Sequence, residues 1–209
     1  MGSSWDIMER TNSLDYEYRT NYDLYFRIIT LRIAITGHTK GIGKACYDLL
    51  SAEHEVIGMS RSNGFDINQT KPIIMTANSC DVFINNAYSG TQQSFLFDEL
   101  FNLWREDNTK TIVNVNSRSK YDGVRTTLYG ADKKHLDHIA QSNVFSDMNK
   151  RVRVININPG YVDTDMVPDR AKDFNKLTPM QVAETIKWCI DKPQEIEINE
   201  LSIWSTWLQ

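Results

Sequence analysis

The stretch LRIAITGHTKGIGKACYDLL, residues 31–50, runs a β-branched segment straight into a turn holding Gly37, Gly41 and Gly43 and then into a helical pattern with Ala45, Leu49 and Leu50 on one stripe. Glycines at a strand-to-helix junction let the chain turn tightly. They also bring backbone N–H groups against a pyrophosphate, which the positive end of the helix favours. Working outward, EVIGMS reads as a second strand, NGFDI as a short third or its remnant, CDVFINNA as a fourth, KTIVNVNS as a fifth, RVRVINI as a sixth and IEINELSIW as a seventh. Between them, KPIIMTANS, SFLFDELFNLWRED, TLYGADKKHLDHIAQSNVF and TPMQVAETIKWCID read as helices. The second of these carries a stripe at Phe95, Leu96, Leu100, Leu103 and Trp104, and the last opens on an N-cap threonine with proline behind it. Strands alternating with helices predict an α/β fold: a doubly wound, mostly parallel sheet in three α/β/α layers, one domain over residues 31–209. Residues 1–30, polar and rich in aromatics, form an N-terminal extension. It is either partly helical and packed on the domain or a neighbouring subunit, or a disordered leader.

With 209 residues, 41% hydrophobic and 24% charged, the chain is long enough to bury a core without disulfides. A net charge of −4, with Lys and Arg scattered, gives no footprint for nucleic acid. No apolar run reaches the span of a bilayer, and the charged start lacks a signal peptide's apolar segment. Cys46, Cys80 and Cys189 stand far apart, so buried reduced thiols and a cytoplasmic setting are expected. His38, His54, His135 and His138 form no metal constellation, and no metal is expected.

The spacing T-G-x-x-x-G-x-G at Thr36–Gly43 resembles that of the short-chain dehydrogenases/reductases. Other elements follow in that family's order: NNAY at Asn85–Tyr88, Ser117 at the end of the fifth strand, Tyr129 and Lys133 as Y-x-x-x-K, and PGYVDT at Pro159–Thr164. The resemblance covers roughly residues 31–204 and implies a Rossmann-like dinucleotide-binding domain. It implies an oxidoreductase that reduces a small carbonyl compound, or oxidises the matching alcohol, by hydride transfer. A catalytically weak or inactive dinucleotide sensor of the same fold is the alternative. Homodimers or homotetramers are implied as well, with neither nucleic acid nor membrane as partner.

Residues four apart on a helix share a face, so Tyr129 and Lys133 project together. A phenol working near neutral pH calls for about 4 kcal/mol of preferential phenolate stabilisation, which a lysine ammonium and an oxidised nicotinamide ring can supply. The resemblance makes Tyr129 the general acid/base and has Lys133 hold the nicotinamide ribose. Ser117, twelve positions before Tyr129, polarises the substrate oxygen, with Ser119 as the fallback. For the cofactor it implies Gly37, Thr39, Lys40, Gly41, Ile42 and Gly43 at the phosphates, and Asp66 at the adenine. Asn86 and Ala87 line the cleft; Pro159, Gly160, Val162 and Thr164 lie at the nicotinamide end. Arg61 stands where an enzyme for NAD(H) carries an acid, and with Lys40 it points to NADP(H) rather than NAD(H).

The sequence departs from the family pattern in four places. Tyr88 replaces a glycine. About 30 residues separate NNAY from Ser117, and Asn102, the one asparagine of the intervening helix, is out of register for the fourth catalytic residue. Arg61 and Asp66 leave no room for a helix after the second strand. The short segment from Thr164 to Thr178 predicts a shallow or open pocket.

Overall fold

The β-branched runs become strands of one sheet: β1 (Arg32–Thr36), β2 (Glu55–Met59), β3 (Val82–Asn85), β4 (Thr111–Val115), β5 (Arg153–Pro159) and β6 (Glu200–Ile203). Their order is β2-β1-β3-β4-β5-β6, and every pairing is parallel. This computed structural model describes residues 30–121, 127–147, 149–167, 171 and 173–206. The extension before Thr30 lies outside them.

Among the described residues five helices cover the sheet: α1 (Gly41–Leu50), α2 (Thr70–Ala77), α3 (Gln92–Trp104), α4 (Leu128–Ser146) and α5 (Pro179–Ile190). Strand side chains alternate between faces. Ile33, Ile35, Ile84, Val113, Val115 and Ile157 therefore pack under α1 and α5, while Ala34, Phe83, Ile112 and Val154 pack under α2, α3 and α4. With both faces covered, parallel strands can be apolar throughout. The fold class is the one expected. Thr178 and Gln181 cap each other at the start of α5, with Pro179 in its first turn.

Two expectations are corrected. NGFDI is not a strand: after β2 the chain makes a single 3-10 turn at Arg61–Asn63 and passes through Gly64 at φ 90°. The Asn63 amide accepts from Ser60 N (2.8 Å) and donates to Gly58 O (2.8 Å), folding this segment back on β2. The described residues therefore hold six strands rather than seven. In α3 the buried side chains are Gln93, Ser94, Leu96, Phe97, Leu100, Phe101 and Trp104, whereas Phe95 and Leu103 are about half exposed. The i, i+4, i+7, i+8 rhythm starting at Gln93 is the true stripe, and a polar first member hid it.

The chain leaves β1 for β2 on one side and returns to β3 on the other. This opens a crevice at the carboxyl ends of β1 and β3, where open α/β sheets take their ligands. Cys46, Cys80 and Cys189 are buried free thiols, and burial pushes Cys46 up to about 12. Among the described residues no helix is long and apolar enough to cross a membrane, and no group of His, Cys, Asp or Glu is placed to hold a metal ion.

Candidate active site

The glycine turn is held by the residues after β3. Thr36 Oγ1 accepts from the backbone N–H groups of Asn86 and Ala87, each at 3.0 Å, and Asn86 Nδ2 donates to Thr36 O (2.9 Å). Gly37 sits at φ 73°, and a Cβ on Gly43 would lie 2.3 Å from Gly37 O. A side chain at residue 43 would push the turn off the helix. Lys40, the N-cap of α1, makes no side-chain cap hydrogen bond, and the first turn holds no acid. The first N–H groups of α1 are thus open to an anion. A Cβ on Gly41 would come within 3.1 Å of Thr164 Cγ2, so the turn and the segment after β5 face each other.

The cation pair is arranged differently from the expectation. Lys40 pairs with Asp165 (3.1 Å) at the surface, and Arg61 is exposed at the start of the 3-10 turn. Asp66 Oδ1 accepts from Asn68 N and Asn68 Nδ2, closing a local turn.

Ser117, Tyr129 and Lys133 come together on a cavity of about 690 Å³. Ser117 follows β4, and its Oγ accepts from Ser119 N (3.1 Å). Ser119 thus supplies a backbone donor that orients Ser117. The Ser117 hydroxyl lies close enough to the Tyr129 phenol to favour its ionised form. Gly130 lets α4 approach: a Cβ there would stand 2.8 Å from Ser119 O. The short segment after Thr164 contributes Met166, Val167, Phe174 and Asn175 to the cavity wall. Tyr88 also lines it. Its hydroxyl donates to Asp132 Oδ2 (2.8 Å), and its ring meets Tyr129 edge-on, centroids 4.9 Å apart. The added ring is a fixed wall.

Lys133 is 3% exposed. Its ammonium donates to Gln93 Oε1 (2.7 Å) and Val115 O (2.9 Å), while Gln93 Nε2 donates to Asn85 O (2.7 Å) and Val115 O (3.1 Å). Gln93 is the polar partner on α3 that the sequence reading missed. Asn102 instead bonds Asp98 O on the exposed side of the helix. A second unforeseen device lies beneath: Asn85 Nδ2 donates to Asn114 Oδ1, and Asn114 Nδ2 donates to Asn156 Oδ1, each at 3.0 Å. These amides sit in register across β3, β4 and β5 and tie together the strand ends that carry the site.

The electrostatics differ from the expectation of a depressed phenol. Burial pushes Tyr129 up, and the Ser117 hydrogen bond only partly offsets it. Burial also drives Lys133 down from 10.5 to about 7, against a weaker opposing pull from Asp132. The ammonium lies 5.6 Å from the Tyr129 ring centroid and bonds α3 and β4 rather than the phenol.

Comparison with known proteins bears on this region. A family model described as short chain dehydrogenase matches residues 94–175, which include Ser117, Tyr129 and Lys133. Over that segment the chain is similar to the short-chain dehydrogenases/reductases. Among its relatives is an uncharacterized oxidoreductase of Staphylococcus aureus (strain MRSA252), 27% identical over 100 residues, 47% of this chain and 43% of the relative. Another, from Staphylococcus epidermidis, is 31% identical over 96 residues, 44% and 41% of the two chains. The matched stretch therefore spans less than half the length of these curated relatives. A short-chain dehydrogenase from Burkholderia cenocepacia in complex with NADP superposes with a TM-score of 0.70, covering 85% of this chain and 89% of that one at 18% identity. A 3-ketoacyl-(acyl-carrier-protein) reductase from Brucella melitensis complexed with NADH gives 0.71, covering 85% and 98% at 16% identity. At such identities the likeness is one of fold.

Proposed function

We propose that this chain is an NADP(H)-dependent oxidoreductase of the short-chain dehydrogenase/reductase family that reduces a carbonyl compound, or oxidises the matching alcohol, with Tyr129 as general acid/base. The observation that carries the reading is the convergence of the Ser117 hydroxyl, the Tyr129 phenol and the buried Lys133 ammonium on one cavity beside an uncapped helix N-terminus. Convergent groups in complementary roles, next to an anion site, are what this chemistry needs.

The residues present fit a nicotinamide dinucleotide. Gly37, Gly41 and Gly43 leave room where side chains would collide, and Thr39, Lys40 and Ile42 continue the turn to the phosphates. Asp66, through its free oxygen, and Ala87 with Asn86 would line the adenosine side and the cleft. Pro159, Gly160, Val162 and Thr164 would meet the nicotinamide, and Lys133 with Tyr129 its ribose. Arg61, exposed beyond β2, is the cation for a 2′-phosphate, with Lys40 recruited from Asp165; NADP(H) is preferred on that ground. Bound there, the dinucleotide supplies the hydride.

The chain's own residues handle the proton. Ser117 donates to the substrate oxygen and Tyr129 delivers its phenolic proton to the same oxygen. A phenol pushed up by burial is protonated throughout the neutral range, which favours reduction. Gln93 and Val115 fix the Lys133 ammonium, and Gln93 thereby takes the place left vacant by Asn102. Exposed Phe95, Leu103 and Phe145 on α3 and α4 supply apolar surface for self-association into a dimer or tetramer.

The test is NADPH and NADH oxidation against a panel of aldehydes and ketones. Turnover with NADPH, faster than with NADH, is expected. Tight NADPH binding with no turnover across the panel would favour the sensor reading instead.

A further inference from the structure

The cavity holds a cation that the proton chemistry leaves unused. Arg118 directly follows Ser117 and lines the same cavity. Its guanidinium carbon stands 4.1 Å from the ring centroid of Trp204, just beyond β6. A cation–π contact of this kind holds the guanidinium by its charge and leaves its N–H donors available to a ligand. Among the described residues no carboxylate lines the cavity. Among the described residues the nearby acids are committed elsewhere: Asp132 accepts from Tyr88, and Asp137 and Glu200 hold the buried Lys120. The surrounding walls are apolar or aromatic, built by Tyr161, Met166, Phe174 and Trp204.

We propose that the substrate is an oxo acid: a carbonyl compound with an apolar or aromatic body whose carboxylate is bound by the in-plane donors of Arg118 while Ser117 and Tyr129 engage its carbonyl oxygen. A planar fork matches a carboxylate bidentately, and the contact with Trp204 restricts the side chain before the ligand arrives. The adjacency of Arg118 and Ser117 fixes both ends of such a molecule from one short loop. That loop is itself secured, because Lys120 pairs with Asp137 and Glu200, and Tyr121 donates to Glu200 (2.7 Å). This inference names the substrate class of the proposed oxidoreductase and rests on that reading.

The experiment compares kcat/KM for the isomeric formylbenzoates and for their methyl esters, with NADPH, in wild type and Arg118→Gln. The wild type is expected to prefer the anion to its ester by about tenfold to a hundredfold, the range of a charge-assisted hydrogen-bonded pair. In Arg118→Gln that preference disappears while ester turnover stays within about threefold. Arg118→Lys, a point charge without the fork, should restore part of it. Equal turnover of acids and esters, or a preference that survives in Arg118→Gln, overturns the oxo-acid assignment and leaves the oxidoreductase standing. Turnover of other carbonyls on the panel with none of these acids or esters also overturns the oxo-acid assignment alone, and no turnover of any carbonyl overturns both.

Discussion

Tyr129→Phe is expected to lower kcat for carbonyl reduction by about a thousandfold, within the range of general acid catalysis, while the Kd for NADPH changes by less than about threefold. Phenylalanine keeps the ring that meets Tyr88 edge-on, so the wall of the cavity survives and only the proton is lost. A Tyr129→Phe protein with wild-type kcat would show that the proton comes from elsewhere. Steady-state kinetics and a fluorescence titration with NADPH, run on the same preparation, separate the two readouts.

Lys133→Met is expected to make the ligand-free protein more stable and the enzyme far less active. Burial lowers the Lys133 pKa from 10.5 to about 7, which corresponds to a cost of about 4–5 kcal/mol on the charged form. Methionine removes that cost but strands Gln93 Oε1, so a net gain of about 2–4 kcal/mol is expected. The sign with pH follows from linkage. A lysine whose folded pKa is depressed binds fewer protons folded than unfolded, so wild-type stability rises with pH between about 7 and 10.5. The advantage of Lys133→Met is therefore full below about pH 7 and fades toward pH 10.5, as denaturant melts across that range will measure.

The same titration reaches activity. In the wild type, kcat/KM for NADPH should fall as pH rises above about 7, where free Lys133 loses its proton. Gln93→Glu puts a carboxylate where Oε1 stands 2.7 Å from the ammonium, and the fall should then begin at least about one pH unit higher. A limb that does not move with this change would remove Gln93 from its role as positioning residue.

What the sequence disclosed and what it hid have different physical origins. The glycine turn was readable because positive φ and close approach leave few other residues possible, as Gly37 and Gly43 demonstrate. The shared face of Tyr129 and Lys133 was readable because helical spacing is fixed. Gln93 was not, since nothing local distinguishes a glutamine that will be buried from one in solvent. Its rhythm with Phe97, Leu100 and Phe101 was the available signal. The ladder of Asn85, Asn114 and Asn156 depends on register between strands far apart in the chain. The upward shift of Tyr129 depends on burial, a property of the assembled site. NGFDI was read as a strand because propensity carries no information about the tie from Asn63 to Gly58 O.

The most direct measurement follows the hydrogen itself. NADPH deuterated at the transferable C4 position is incubated with the protein and a formylbenzoate ester, and the product is analysed by mass spectrometry. The account predicts an alcohol carrying a single cofactor-derived deuterium on the former carbonyl carbon, formed by wild type and not detectably by Tyr129→Phe. Consumption of NADPH without label in the alcohol, or labelled alcohol formed equally fast by the variant, would contradict it.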